Sequence, residues 1–176
     1  MSTGQLYEIA ELNLKFSVSL SQTVYSHGWV QLAPWEWNPD QNCISRKESL
    51  DDNNIVSLYL SQVSPKSFVI ESDKCDLSQN QVKVLKHRAS RWISGEWNPE
   101  GAMQTARKLN SSIELYLKQG GGRFLRSSTF YEDLIKTICT INTNWASTVH
   151  MIKALVSQSE GGCFHCLLYT SPSPRD

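Results

Sequence analysis

The sequence predicts an α+β fold in which a small antiparallel β-sheet domain is followed by helices. Two observations predict it. In roughly the first 75 residues, apolar and polar residues alternate with the period of a half-buried strand, and short turns interrupt the alternation. Beyond that point, apolar residues recur every three or four positions, as on one face of a helix. The predicted connections between strands are short, which favours an antiparallel meander.

The strands are predicted in the following order. LKFSVSL, at residues 14–20, alternates apolar and polar positions. Trp35 and Trp37 share one face before the turn Asn38-Pro39-Asp40, and the chain resumes as a strand near Ile44. DDNN at 51–54 is a further turn. IVSLYLSQ and KSFVIES then follow as two strands, separated by Ser64-Pro65.

The helical part begins with LSQNQVKVLKHRASRWI, which ends at Gly95 and Asn98-Pro99. AMQTARKLNSSIELYLKQ predicts one or two further helices, and the glycines at 120–122 predict a loop.

Two more helices are predicted after this loop. Thr129 and Glu132 have the spacing of a capping box. The predicted buried stripe of the first helix is Phe130, Leu134, Ile138 and Ile141, and that of the second is Trp145, Val149, Ile152 and Val156. Between them, Asn142-Thr143-Asn144 breaks the periodicity with residues that favour helix N-caps.

Composition excludes several classes of protein. Of 176 residues, 40% are hydrophobic and 19% charged, which fits a chain with a packed core. There is no run of 18 apolar residues and no basic, then apolar, N-terminal signal, so we expect no membrane span and no export. The five cysteines are odd in number and scattered, which favours reduced thiols in the cytoplasm.

Charge is unevenly distributed although the formal net charge is zero. Residues 1–82 carry five Lys/Arg and ten Asp/Glu, whereas residues 83–176 carry twelve and seven. An anionic partner would therefore contact the second half of the chain. The alternative is that these charges belong to solvated helix faces.

Two stretches resemble one enzyme family. SVSLSQTVYSHGWVQLAPWEWNPDQN resembles the N-terminal β domain of helix-hairpin-helix (HhH-GPD) DNA glycosylases of the alkylbase (3-methyladenine) and 8-oxoguanine type. GGGRFLRSSTFYEDLIKTICTINTNWASTVHMIKALV resembles the opening of their all-α catalytic domain. The resemblance implies a β domain at 1–76, a basic helical link at 77–119 and the start of the glycosylase domain at 120–165.

The resemblance also implies a function and a set of DNA-binding residues. Such enzymes extrude a damaged base from double-stranded DNA and hydrolyse its N-glycosidic bond, in base excision repair, without a metal or other cofactor. Asn142 matches the family's asparagine at a helix–helix corner and could pair with the orphaned base; the alternative is an ordinary N-cap. Asn144 lies beside it. Arg123 and Arg126 are candidates for phosphate contacts, with surface solvation as the alternative. Trp145 is expected to pack rather than to stack on a base.

The family's Leu-Pro-Gly-x-Gly hairpin and its catalytic aspartate have no match in this sequence, so no catalytic residue is assigned. The last eleven residues, CLLYTSPSPRD at 166–176, resemble an adapter-derived, non-native tail. We therefore interpret Cys163-Phe164-His165-Cys166 as a chance spacing rather than a zinc or redox site, with Cys163 native and Cys166 not. The expectation is a monomeric, catalytically inactive fragment of a cytoplasmic glycosylase.

A rival hypothesis is a DNA-binding module without enzymatic activity, because a helix-turn-helix also places two helices around such a corner. A protein-interaction domain is a third possibility. The charge asymmetry favours the two DNA-binding hypotheses over it.

Overall fold

A computed structural model describes residues 5–50 and 54–164 of the chain. Within them, five strands form one sheet in the order β1-β5-β4-β3-β2, and every neighbouring pair is antiparallel. The strands are β1 (Tyr7–Asn13), β2 (Glu36–Asn38), β3 (Cys43–Ser49), β4 (Ile55–Ser64) and β5 (Ser67–Ser72). Strands β2 to β5 form a meander, and β1 pairs with β5 at the far edge.

Six α-helices accompany the sheet in the described part of the chain. They are α1 (Leu20–Val24), α2 (Gln79–Trp92), α3 (Glu100–Leu109), α4 (Ser111–Lys118), α5 (Phe130–Ile138) and α6 (Trp145–Gln158). The predicted α+β class and the predicted antiparallel meander are confirmed.

The alternation predicted for the strands places one face of the sheet in the core. On β4, Val56, Leu58 and Leu60 are buried, and on β5 Phe68 and Ile70 are buried. Directly opposed residues on neighbouring strands point to the same face of a sheet, so the β3 partners of these β4 residues also face inward.

The strand predicted at residues 14–20 is wrong. The first strand is β1, which ends at Asn13, and the chain then runs irregularly until α1 begins at Leu20. The backbone N–H of Val18 donates to Pro65 O at 2.8 Å, whereas that of Ser19 donates to Gly120 O at 3.1 Å. Because consecutive N–H groups bond to different segments, no ladder forms, although Val18 and Leu20 are buried and Leu14 and Phe16 are half-buried.

Helix α2 begins at a capping box and packs on the sheet. A complete capping box begins it, since Ser78 and Gln81 each accept a hydrogen bond from the other's backbone N–H. Leu85, Ala89 and Trp92 belong to the same core as the inward face of the sheet. The core therefore joins the predicted β domain to the helix that follows it.

The stretch 100–118 forms two helices. Asn110, with φ −160°, ends α3, and its Oδ1 accepts from Ser112 N at 2.8 Å to cap α4. One side chain thus provides the break that the periodicity alone left undecided.

Helices α5 and α6 form as predicted, but the buried face of α5 is not the predicted one. All four members of its apolar stripe are exposed, and their exposed fractions range from 43% for Leu134 to 73% for Phe130. The buried side chains of α5 are instead Glu132 and Lys136. In α6, Ile152 and Val156 are buried as predicted, in a second apolar cluster with Leu32 and Phe164, whereas Val149 is half-buried and Trp145 is exposed.

The division of the chain at residues 76, 119 and 165 stays a prediction, and so does the adapter origin of 166–176, which lies outside the described residues. No helix in the described ranges is long and apolar enough to cross a bilayer.

Candidate nucleic-acid interface

The corner between α5 and α6 is an exposed turn whose two ends are held by hydrogen bonds. Every residue from 141 to 147 is exposed. The Thr143 hydroxyl donates to Cys139 O at 2.8 Å, and it lies 2.9 Å from the Thr148 hydroxyl. Thr148 is buried and itself donates to Cys139 O at 3.0 Å. These bonds join the end of one helix to the first turn of the next.

Asn142 occupies the turn itself. Its backbone is left-handed, with φ 54°, a conformation that asparagine tolerates better than most residues. Its side-chain amide makes no hydrogen bond to the described part of the protein. An exposed amide with a free donor and a free acceptor can pair with a nucleobase edge.

Asn144, not Asn142, is the N-cap of α6. Its side chain accepts from Ser147 N at 2.9 Å. This answers the question that the sequence left open for Asn142, because only one residue can cap the helix. The Asn144 side-chain oxygen is therefore already hydrogen-bonded to the backbone of α6, although the residue is exposed.

Trp145, the first residue of α6, contacts residues 28–31 but is 38% exposed, so its predicted place in a buried stripe is wrong. Its Nε1 donates to Gln31 Oε1 at 2.8 Å, and its ring lies over Gly28, where an added Cβ would come within 3.1 Å of the indole. Gly28 has φ 86°, so both conformation and space favour glycine there. The preceding residue, His27, contacts Trp29 and Phe124, and burial lowers the pKa of its imidazole.

Arg123 is buried, whereas the predicted phosphate contact requires an exposed guanidinium. It is 3% exposed, and its guanidinium donates to the carbonyls of Ser94, Trp97 and Ser17. It also lies over the Trp97 ring, 5.2 Å from its centre. A side chain enclosed in this way joins three segments of the fold and does not reach a phosphate in this conformation.

Arg126, three residues later, is exposed. Its backbone N–H is fixed to Trp92 O at 2.9 Å, while its guanidinium has no hydrogen-bond or ion-pair partner within the described ranges. The geometry leaves this cation available to an anion, and the predicted phosphate contact stays a prediction.

Several other basic residues of the second half are paired within the protein. Arg88 binds Glu48 at 2.9 Å, and Arg91 binds Asp133 at the same distance. Arg107 and Lys118 both contact Glu114. Part of the positive excess seen in the sequence is thus neutralised by neighbouring carboxylates.

A buried ion-pair network holds α5, and with it the corner, against the sheet. Glu132 on α5 accepts from both terminal nitrogens of Arg46 on β3, at 2.9 and 2.8 Å, a bidentate pair. Lys136 Nζ lies 2.7 Å from Glu132 Oε1, the oxygen that also accepts from Arg46 Nη1. Arg46 Nε is 2.8 Å from Glu48, which in turn binds Arg88 on α2. The network therefore connects α5, β3 and α2.

Burial and charge oppose each other in this network. Burial by itself raises the pKa of Glu132, but the charges of Arg46 and Lys136 outweigh it and lower that pKa to about 2. Burial lowers the pKa of Lys136 despite the nearby carboxylate. Burial would also lower the pKa of Arg46, but Glu132 and Glu48 raise it. We conclude that the Glu132 carboxylate is ionised and, together with Glu48, balances the charges of Arg46 and Lys136.

Aromatic rings enclose the cationic side of the network. The Lys136 ammonium lies 5.8 Å from the ring centres of Trp29 and Trp35 and 5.5 Å from that of Phe164. The Arg46 guanidinium stacks 4.6 Å from the Trp35 ring. Ring faces attract cations and exclude water, which strengthens the ion pairs between them.

The sequence patterns considered above did not predict this network. Thr129 does cap α5, accepting from Glu132 N at 3.2 Å, but the Glu132 side chain points to Arg46 and does not complete the capping box. One available signal was the Glu132–Lys136 spacing of four residues, which predicts an ion pair on a helix. A second was the place of Arg46 and Glu48 on the same strand face as Ile44.

Comparison with known proteins supports the fold. No protein-family model matches the chain, and no curated protein sequence matches it. Among solved structures, a 3-methyladenine DNA glycosylase from Archaeoglobus fulgidus superposes with a TM-score of 0.66 at 16% sequence identity. The match covers 85% of this chain and 50% of that structure, so the chain spans about half the length of its structural neighbour. The chain therefore has a DNA glycosylase-like fold.

Proposed function

We propose that this chain is the N-terminal part of an HhH-GPD DNA glycosylase that acts in base excision repair. The parent enzyme binds double-stranded DNA at an alkylated or oxidised base, extrudes that base and hydrolyses its N-glycosidic bond. The observation that carries the proposal is the exposed α5–α6 corner, in a fold that resembles a 3-methyladenine DNA glycosylase.

The role of the corner follows from the physical chemistry of base extrusion. Removing a base from the stack costs a few kcal/mol and leaves its partner unpaired, a cost that an inserted side chain offsets. The Asn142 amide lies at an exposed tip and has no hydrogen-bond partner among residues 5–50 and 54–164. The tip is held by a buried ion-pair network rather than by a flexible loop, so little ordering entropy opposes its insertion.

The chain itself is proposed to bind DNA without releasing a base. No Leu-Pro-Gly-x-Gly hairpin and no matching aspartate occur in the 176 residues, so nothing supplies the carboxylate that stabilises the developing positive charge on the sugar. Base release from lesion-containing duplexes by this chain would contradict this part of the proposal.

Fluorescence anisotropy with labelled duplexes tests the binding role. We expect the chain to bind a duplex with a central abasic site several-fold more tightly than the intact duplex, and Asn142→Gly to abolish most of that preference. Gly keeps the left-handed backbone of Asn142 while it removes the amide. Gln104→Ala, which removes an exposed amide on α3, is the matched control and should leave the preference unchanged.

The same titration separates the rival hypotheses. Equal affinity for abasic and intact duplexes, with a preference for one sequence, would instead indicate a helix-turn-helix module. Absence of salt-dependent binding to any duplex would overturn a role in DNA binding.

A further inference from the structure

A cleft of about 340 Å³ lies beside the C-terminal end of α2, away from the corner residues. Its walls are the last turns of that helix, the turn at 94–97 and Arg126. This volume lies within the range of small-molecule sites. Apart from Arg126, the proposed DNA-binding role uses none of these residues.

The cleft is lined by one cation and one carboxylate that have no ion pair in the described part of the chain. Arg91 is compensated, since it binds the Asp133 carboxylate and donates from Nε to Ser127 O at 2.9 Å. Arg126 has no such partner in the described part of the chain. Glu96 is exposed and has no ion pair there either. The His87 imidazole also lines the cleft, beside the paired Arg91 and these two side chains.

An aromatic ring forms part of the wall. The Trp97 side chain is 36% exposed. The guanidinium of the buried Arg123 lies 5.2 Å from the ring centre, and it also binds the Trp97 carbonyl. Arg123 thus contacts the indole from the protein interior, and the ring remains partly exposed at the cleft.

The walls are fixed before any ligand binds. Arg126 N donates to Trp92 O, and Ser94 Oγ donates to Phe124 O, both at 2.9 Å. Gly95 lies so close to α2 that an added Cβ would be 2.7 Å from Ser90 Oγ. A preformed cleft loses little entropy when it binds a ligand.

We propose that this cleft binds a single nucleotide unit, with its base stacked on Trp97 and its phosphate paired with Arg126. Base stacking on an exposed aromatic ring tolerates any base, and a guanidinium matches a phosphate in two parallel hydrogen bonds. The Glu96 carboxylate can accept from a sugar hydroxyl or an exocyclic amino group. The nucleotide is either free or one unit of a DNA strand, and the cleft presents the same chemistry to both.

NMR titration of the full chain with AMP tests the proposal. We expect saturable shifts of the Trp97 indole N–H resonance, and at least a five-fold weaker affinity in Arg126→Ala. Lys86→Ala removes another exposed cation, on α2 outside the cleft, and should leave the affinity unchanged. Trp97→Ala should lose binding and Trp97→Phe should retain most of it. The Phe variant also preserves a ring over Arg123 if the Ala variant fails to fold.

Two outcomes overturn the proposal. One is the absence of saturation by AMP and by a short single-stranded oligonucleotide. The other is an inorganic phosphate affinity equal to that of AMP, which would make the cleft an anion site without base recognition. A several-fold tighter affinity for the oligonucleotide would assign the nucleotide to a DNA strand, and an equal affinity would assign it to a free nucleotide.

The proposal stands apart from the role of the corner, and the two can fail separately. If AMP does not bind but the preference for abasic duplexes persists, the cleft proposal alone is wrong. If AMP binds and the preference is absent, the proposed function is wrong and the cleft remains a nucleotide site.

Discussion

Helices α5 and α6 are neighbours with similar apolar periodicity, yet they bury opposite kinds of side chain. Helix α6 buries Ile152 and Val156 in an apolar cluster. Helix α5 buries Glu132 and Lys136, and it exposes its apolar stripe, with Ile138 51% exposed. Periodicity therefore predicts that both segments are helical, but the surface that each helix meets decides which face is buried.

The difference originates on β3. Its inward face carries Arg46 and Glu48 beside the apolar Ile44, so the core already contains charge where α5 docks. Together with Glu132 and Lys136, these side chains form a set of two cations and two carboxylates. Pairing within such a set is strongly favoured over leaving any of its members unpaired in a buried site.

The largest expected effect comes from breaking this set. Glu132→Ala leaves Arg46 and Lys136 buried without their shared carboxylate, so we expect it to lower the free energy of unfolding by about 3–5 kcal/mol. Urea denaturation followed by circular dichroism measures the change. Glu8→Ala, which removes an exposed carboxylate on β1, should leave the midpoint unchanged. A loss for Glu132→Ala below about 1 kcal/mol would mean that the network is loosely formed.

A matched pair of isoleucines compares the two helices directly. Ile152→Ala on α6 removes a fully buried side chain and should cost about 2–4 kcal/mol, through lost burial and the cavity left behind. Ile138→Ala on α5 removes a half-exposed side chain and should change stability by less than about 0.5 kcal/mol. Equal losses in the two variants would show that α5 buries its apolar stripe after all.

Acid should weaken the attachment of α5 selectively. The pKa of Glu132 is about 2 in the folded protein, below its ordinary value near 4.5. A depressed carboxyl pKa stabilises the fold fully above the unfolded value, and this stabilisation is lost as the pH falls from about 4.5 towards 2. The integrated effect of such a shift is about 3 kcal/mol.

Unfolding measured from pH 6 to pH 2 in the wild type and in Glu132→Gln tests this expectation. The stability difference between them should shrink below pH 4.5, because glutamine does not titrate and the other carboxyl groups are common to both proteins. A difference that is constant with pH would contradict the low pKa.

The sequence predicted the elements with local signals. The meander of β2 to β5 followed from alternation and turn residues, and α2, α5 and α6 followed from helical periodicity. The segment 14–20 alternates in the same way but bonds to two distant parts of the chain, which no local pattern reveals. Alternation there reports burial of Val18 and Leu20 rather than a strand.

The candidate site was predictable only in part for the same reason. The corner follows from the Asn-Thr-Asn break, and its exposure from the polar residues in it. Arg123 and Arg126 look alike in the sequence, yet one is buried beneath Trp97 and the other is exposed. Their difference depends on Ser94 and Ser17 carbonyls that the fold brings to Arg123 from distant positions.

The smallest effect on stability is expected at the corner that joins the two helices. Asn142 contributes no side-chain hydrogen bond to the described fold, and glycine adopts φ 54° without strain. Asn142→Gly should therefore change the free energy of unfolding by less than about 0.5 kcal/mol, because relief of the left-handed strain offsets the greater freedom of the unfolded chain. Asn142→Ile, with a β-branched side chain at the same φ, should cost about 1–2 kcal/mol.

Thermal denaturation of the two variants distinguishes a passive turn from a packed one. Comparable losses for glycine and isoleucine would indicate that the asparagine amide holds α5 and α6 together. If glycine is neutral, any loss of preference for abasic DNA in Asn142→Gly reports the missing amide at the interface and not a weakened fold. The residue that joins the helices would then be selected for its exposed polar group, while their burial is decided elsewhere, by β3 for α5 and by the Leu32 cluster for α6.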